Sequence, residues 1–141
     1  MSLFAALGAS ASALDAERAR LEVAVSNIAN AESTRGPDGR PYRRRDVLLA
    51  PSTIESFDAA LGNAGAVGVK VVNIVEDQTS FRKRYEPSHP DADGEGFVSM
   101  PNVDVPEEMV DMVGAARAYQ ANIAAINVIR DTVQRALELG K

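Results

Sequence analysis

The sequence contains no cysteine, no tryptophan and a single histidine among 141 residues. The missing cysteines exclude disulfides, thiolate nucleophiles and zinc–thiolate centres. One histidine, His89, leaves little material for a Ser–His–Asp triad or a multi-histidine metal site. Aromatic residues make up 5% of the chain, so any compact core is aliphatic and small. No stretch approaches the roughly 20 apolar residues that a membrane-spanning helix needs. The net charge of -5 disfavours nucleic acid as the main partner. Carboxylates alone can perform acid–base work, so these absences do not remove every enzyme. They lean toward a structural or binding role with no cofactor and no metal.

What the chain does have is uneven. Residues 1–45 hold seven basic and five acidic side chains, residues 46–100 four and nine, and residues 101–141 four and six. All seven prolines fall between positions 37 and 106. The two ends are rich in Ala, Leu, Ile and Met. This predicts an α+β chain, mainly α, with long N- and C-terminal helices around a small strand-bearing insert. The expected divisions are 1–35, 36–105 and 106–141.

The periodicity of the ends is that of a seam. Leu7, Leu14, Leu21 and Ile28 recur every seven residues, with Val25 beside them. Gly36, Pro37, Gly39 and Pro41 then end any helix. After Pro106, which suits a first helical turn, Glu107, Glu108 and Asp111 favour the positive end of a helix dipole. Met109, Ala116, Ile123 and Leu137 take one heptad position, and Met112, Tyr119, Ile126 and Val133 take the other. The two ends are therefore expected to pair as a coiled-coil-like hairpin. Ordering backbone costs about 1–2 kcal/mol per residue, so a narrow stripe holds a long helix poorly without a partner. In the middle, Tyr42–Ala50, Val67–Val75, Ser80–Tyr85 and Gly96–Met100 read as strands, with a loop over 59–68 and a long turn over Pro87–Gly96.

Several segments invite a sharper chemistry. The apolar Leu3–Ala9 run resembles part of a signal peptide, but no Lys or Arg precedes Arg18, so cleavage is not expected. Asp91, Asp93, Glu95 and Gly96 resemble the start of a calcium loop, yet Asn102 occupies the twelfth position and flanking helices are missing. A solvated acidic turn is the simpler reading. Arg43-Arg44-Arg45 suggests a polyanion site, but alternate strand residues face opposite ways. An inter-subunit ion-pair role suits an acidic chain better. His89 has no identifiable nucleophile beside it, although an enzyme using the 86–96 turn is one reading.

Ser26-Asn27-Ile28-Ala29-Asn30-Ala31, with Thr34, resembles the N-terminal signature of the flagellar rod and hook (axial) proteins. Pro41-Tyr42-Arg43-Arg44 with Asp46 resembles the form found in proximal rod members. So do Glu86-Pro87-Ser88-His89-Pro90-Asp91-Ala92-Asp93, Gly96-Phe97-Val98 and Pro101-Asn102-Val103. Glu108-Met109-Val110-Asp111-Met112 and Arg117-Ala118-Tyr119-Gln120-Ala121-Asn122, with Asn127, complete a resemblance covering nearly the whole chain. It implies a non-enzymatic subunit of the bacterial flagellar basal-body rod, in the periplasm. Such subunits are exported unfolded by the flagellar type III apparatus, without a cleaved signal peptide. They polymerise into a torque-transmitting drive shaft with copies of themselves and other rod proteins, near the basal-body rings. The expected assembly interface is Leu7, Leu14, Leu21, Val25, Asn27, Ile28, Asn30, Met109, Met112, Tyr119, Asn122, Ile123, Ile126 and Asn127. The asparagines are placed near the seams as short polar groups that can fix register. The alternative is a cytoplasmic export adaptor or chaperone with an amphipathic helix pair.

Overall fold

A computed structural model describes residues 3–53 and 67–140. The element order is α1 (Leu3–Ala29), β1 (Arg45–Thr53), β2 (Val67–Glu76), β3 (Arg82–Tyr85), β4 (Phe97–Met100) and α2 (Val105–Leu139). Two long helices thus enclose a strand-bearing middle, as the composition predicts. The four expected strands all form, each within three residues of its expected start and end. The 59–68 loop lies mostly outside the described residues, and Gly68 belongs to β2.

The strands make two separate two-stranded sheets, β1 beside β2 and β3 beside β4. β3 and β4 are antiparallel, with Arg82 opposite Met100 and Tyr85 opposite Phe97. Pro51 is tolerated within β1 because a strand in a two-stranded sheet has a free edge that needs no donor.

The chain divides into two compact units. One comprises residues up to 19, 48–73 and from 114 onward. Within it Ala5, Ala16 and Ala115 are buried, while Leu48, Leu49, Val67 and Val72 stay exposed. Ser12 on α1 accepts a hydrogen bond from the Val69 amide of β2 at 3.1 Å. The other unit comprises residues 20–47 and 74–113. Its core is Ala24, Ala31, Val98, Met100, Pro101 and Val103, together with two polar residues, Asn27 and Glu108.

The turn before β4 is set by a glycine. Gly96 has φ +83°, and a Cβ there would lie 2.9 Å from the Tyr85 ring. That close approach lets Tyr85 meet Phe97 edge-on, with centroids 5.2 Å apart. Asp93 Oδ1 accepts the backbone N–H groups of Glu95 and Phe97, each at 2.9 Å. These bonds to the charged form, the Phe97 amide foremost, hold the Asp93 carboxyl below the usual aspartate range.

Candidate functional site: a buried polar junction

A short loop carries the chain from α1 toward β1. Tyr42 N–H donates to Ser33 O at 3.0 Å, and Gly36 N–H to Arg40 O at 2.7 Å. Gly39 makes the tight turn with φ +77°. This closure returns residues 42–45 to the end of α1, next to Asn27.

Asn27 is fully buried and uses all its hydrogen-bonding capacity. Its Nδ2 donates to Arg45 O at 2.8 Å and to Glu108 Oε2 at 2.9 Å. Its Oδ1 accepts the Arg45 N–H at 3.0 Å and the Tyr42 hydroxyl at 2.9 Å. One amide therefore ties α1, the strand entry and the first turn of α2.

Glu108 is 2% exposed. Its other oxygen, Oε1, accepts Arg44 Nε at 2.5 Å. Arg44 also lies 3.6 Å from Asp111 and 3.8 Å from Asp46. Burial works against the Arg44 charge, but the Glu108 bond and the three carboxylates outweigh it and raise its pKa. The Arg44 backbone N–H donates to Asn102 Oδ1 at 2.8 Å. Asn102 in turn donates to Asp77 O at 3.2 Å and Thr79 Oγ1 at 2.8 Å. Arg82 fixes the strand leading into α2, donating to Pro101 O at 3.3 Å and to Val103 O. Among the described residues no buried side-chain polar atom lacks a partner. The arrangement holds groups in register and offers no open acid–base pair or ligand cage.

The sequence-predicted residues separate clearly. Asn27 is at the centre of the junction. Asn30 and Asn122 instead bond to the carbonyls four residues back on their own helices, both at 2.9 Å. Asn127 is exposed. Leu14, Leu21, Ile28, Met112, Tyr119 and Ile126 are half-buried, whereas Leu7, Val25, Met109 and Ile123 are exposed, Val25 by 52% and Met109 by 50%. On α2 the least exposed row runs Glu108, Met112, Ala115, Tyr119, Asn122, Ile126, Ile129 and Val133. Half of it is the expected row through Met112; the other half lies one residue before the expected row through Met109. On α1 the buried positions are Ala5, Ala16, Ala24 and Asn27, and the leucine row flanks them.

The polar readings also find their places. Arg44 pairs with Glu108 within the chain. Arg44 lies just before β1, where its backbone N–H donates to Asn102 Oδ1 and its side chain reaches Glu108. Asp91 accepts Thr34 Oγ1 at 2.9 Å and pairs with Arg35 at 3.4 Å, while His89 Nδ1 accepts the Asp91 N–H at 3.1 Å. These groups organise the 86–96 turn. Among the described residues no cluster of three or more His, Cys, Asp or Glu could hold a metal ion, and no helix is long and apolar enough to cross a membrane. Tyr42, Arg44, Asn102 and Glu108 were not singled out by periodicity. Their signal is an acidic residue in the first turn of a helix, next to the expected seam (Glu108), and a tyrosine next to arginines just after a helix stop.

Comparison with known proteins agrees with this layout. The family described as "Flagella basal body rod protein" matches residues 7–37. That described as "Flagellar basal body rod FlgEFG protein C-terminal" matches residues 95–139. Together they contain both Asn27 and Glu108. The flagellar basal-body rod protein FlgC of Bacillus subtilis is 45% identical, with 100% of each chain covered. FlgC of Salmonella typhimurium is 47% identical over 92% of each chain. FlgC of Aquifex aeolicus is 36% identical over 100% of this chain and 99% of its own.

Proposed function

Since this chain belongs to the FlgC family of flagellar basal-body rod proteins, we infer that it works as a structural subunit of the basal-body rod. It polymerises with copies of itself and with other rod proteins, and it performs no chemical step. It reaches the periplasm through the flagellar type III export apparatus and there forms part of the shaft that carries torque past the basal-body rings. The observation that carries this reading beyond the relatives is the exposed apolar surface of the two helices. Leu7, Val25, Met109, Val110, Ile123, Val128 and Leu137 are all at least 36% exposed. Side chains of this kind, spread along helices rather than gathered in one pocket, suit lateral packing against other helices.

In this mechanism the Asn27–Glu108 junction fixes the start of α2 relative to the end of α1, and the helix faces beyond it meet neighbouring subunits. Leu14, Leu21, Ile28, Met112, Tyr119 and Ile126 border the seam, and Asn30, Asn122 and Asn127 stand beside it. The 36–105 insert lies outward from the rod axis. Stiffness arises from many small contacts. The adaptor reading is not favoured, because the relatives carry rod names. Mass spectrometry of purified basal bodies tests the proposal: the chain is expected in the rod fraction. Its absence there, with the chain confined to the cytoplasm, would return the adaptor reading to first place.

A further inference from the structure

The loop after α1 forms a concavity of about 480 Å³ whose charge opposes that of the chain. Four arginines line it, Arg35, Arg40, Arg43 and Arg45, against two carboxylates, Asp38 and Glu76. Two of the four are already engaged. Arg35 pairs with Asp91. Arg43 sits 4.4 Å over the Phe81 ring and donates to Asp77 O and Thr79 O. Among the described residues the Arg45 side chain makes only a ring contact, 5.6 Å over Tyr42. Among the described residues neither Arg40 nor Arg45 has a carboxylate partner for its guanidinium. Both are exposed. Pro37, Pro41 and Phe81 supply apolar wall between the charges.

The same compact unit carries a second patch of opposite character. At the head of α2, Pro106, Glu107, Val110 and Asp111 surround a shallow hollow. Val110 is 72% exposed, Glu107 is exposed, and no ion pair is formed by Glu107 among the described residues. Resting on the reading of this chain as a rod subunit, we propose that the arginine concavity receives the α2 head of a second copy of this chain. Glu107 enters between Arg40 and Arg45, and Val110 lies against Phe81 and the two prolines. The charges match, with two guanidinium groups that lack a carboxylate partner and one carboxylate that lacks a cation among the described residues, and Arg favours such a carboxylate by its fork of donors. The two patches differ, so the contact is heterologous. A contact of that type repeats head to tail and builds an open helix or ring rather than a closed two-fold dimer.

The absence of native cysteine makes the test clean. Cysteines are placed at Asp38 and Val110 of the full chain, which is expressed in cells lacking the native copy. Basal bodies are purified and treated with a short bis-maleimide. A crosslinked species of twice the chain mass is expected. Adding Arg40→Glu and Arg45→Glu should reduce it at least tenfold, and adding Glu107→Arg to those two should restore it. The chain present in basal bodies without the double-mass species overturns the docking while leaving the rod reading intact. A crosslink only to a chain of another mass overturns it too, by assigning the concavity to a different rod protein. The unsubstituted chain missing from basal bodies overturns the rod reading itself. A double-mass species unmoved by the charge reversals places the patches close but refutes the arginine–carboxylate recognition.

Discussion

At the scale of single residues, the decisive group is a buried amide. Asn27 satisfies both donors and both lone pairs of its oxygen, and one donor faces a carboxylate that water barely reaches. Asn27→Leu leaves Glu108 Oε2 and the Arg45 backbone unpaired, and leaves the Tyr42 hydroxyl only its 3.4 Å contact with Ser26 Oγ. The expected loss is about 3–5 kcal/mol, read as a lower urea midpoint at unchanged slope. Asn27→Asp keeps the acceptor for Tyr42 and Arg45 but sets a carboxylate against Glu108. It should be as damaging at pH 7 and recover as pH falls, because one of two touching carboxylates then takes up a proton. Equal, pH-independent losses in the two variants would mean that the amide acts only as filler. Asp93 has the opposite sign. Its folded pKa is depressed, so its contribution is complete above the ordinary value of about 3.9 and is lost as pH falls through the lower folded value. An acid titration of the Glu95 and Phe97 amide shifts should have its midpoint below that ordinary value; a midpoint at or above it would refute the hydrogen-bond assignment.

At the scale of elements, the sequence was most legible where periodicity is long. Twenty-seven and thirty-five residues of helix appear almost where heptads and Pro106 place them. The four strands follow from dense β-branched runs. The register of the seam was harder, for a physical reason. Heptad periodicity follows apolar bulk, whereas the buried row of α1 is alanine and that of α2 includes Glu108, Ala115 and Asn122. Small side chains let elements approach closely and so end up innermost, leaving the leucines on the flanks. The junction was half legible. Asn27 stands out beside the α1 seam, but its partners lie 15 to 81 residues away and no local spacing announces them. The same distinction yields a prediction. Ala115 is 1% exposed, so Ala115→Leu should destabilise the isolated chain by about 1–3 kcal/mol through overpacking. Ile123 is 40% exposed, so Ile123→Asp should leave the isolated chain's urea midpoint almost unchanged yet abolish rod assembly and swimming while secretion persists. Normal motility for Ile123→Asp would remove that face from the interface.

At the scale of the whole molecule, polar satisfaction and apolar exposure are distributed differently along the chain. Residues 20–47 and 74–113 hold the junction and the buried Val98, Met100 and Val103. In the last third of the chain, Val128, Leu137 and Leu139 are 66–89% exposed. A helix that leaves such side chains in water has little packing to offset its ordering cost, and helical propensity alone seldom holds a long segment. The isolated chain should therefore show a gradient of amide protection. Hydrogen exchange of the dilute monomer is expected to be slow at residues 24–28 and 97–100, where Ala24, Asn27, Val98 and Met100 are buried. It is expected to be fast across residues 126–139, where local opening exposes little new apolar area. In purified basal bodies the fast segment should become slow, because neighbouring subunits then cover Val128 and Leu137 and opening must expose them. Uniformly slow exchange over 126–139 in the monomer would show that the helix is stable without neighbours. Exchange that stays fast there in the basal body would show that this stretch meets no partner, and would confine the assembly surface to residues nearer the junction.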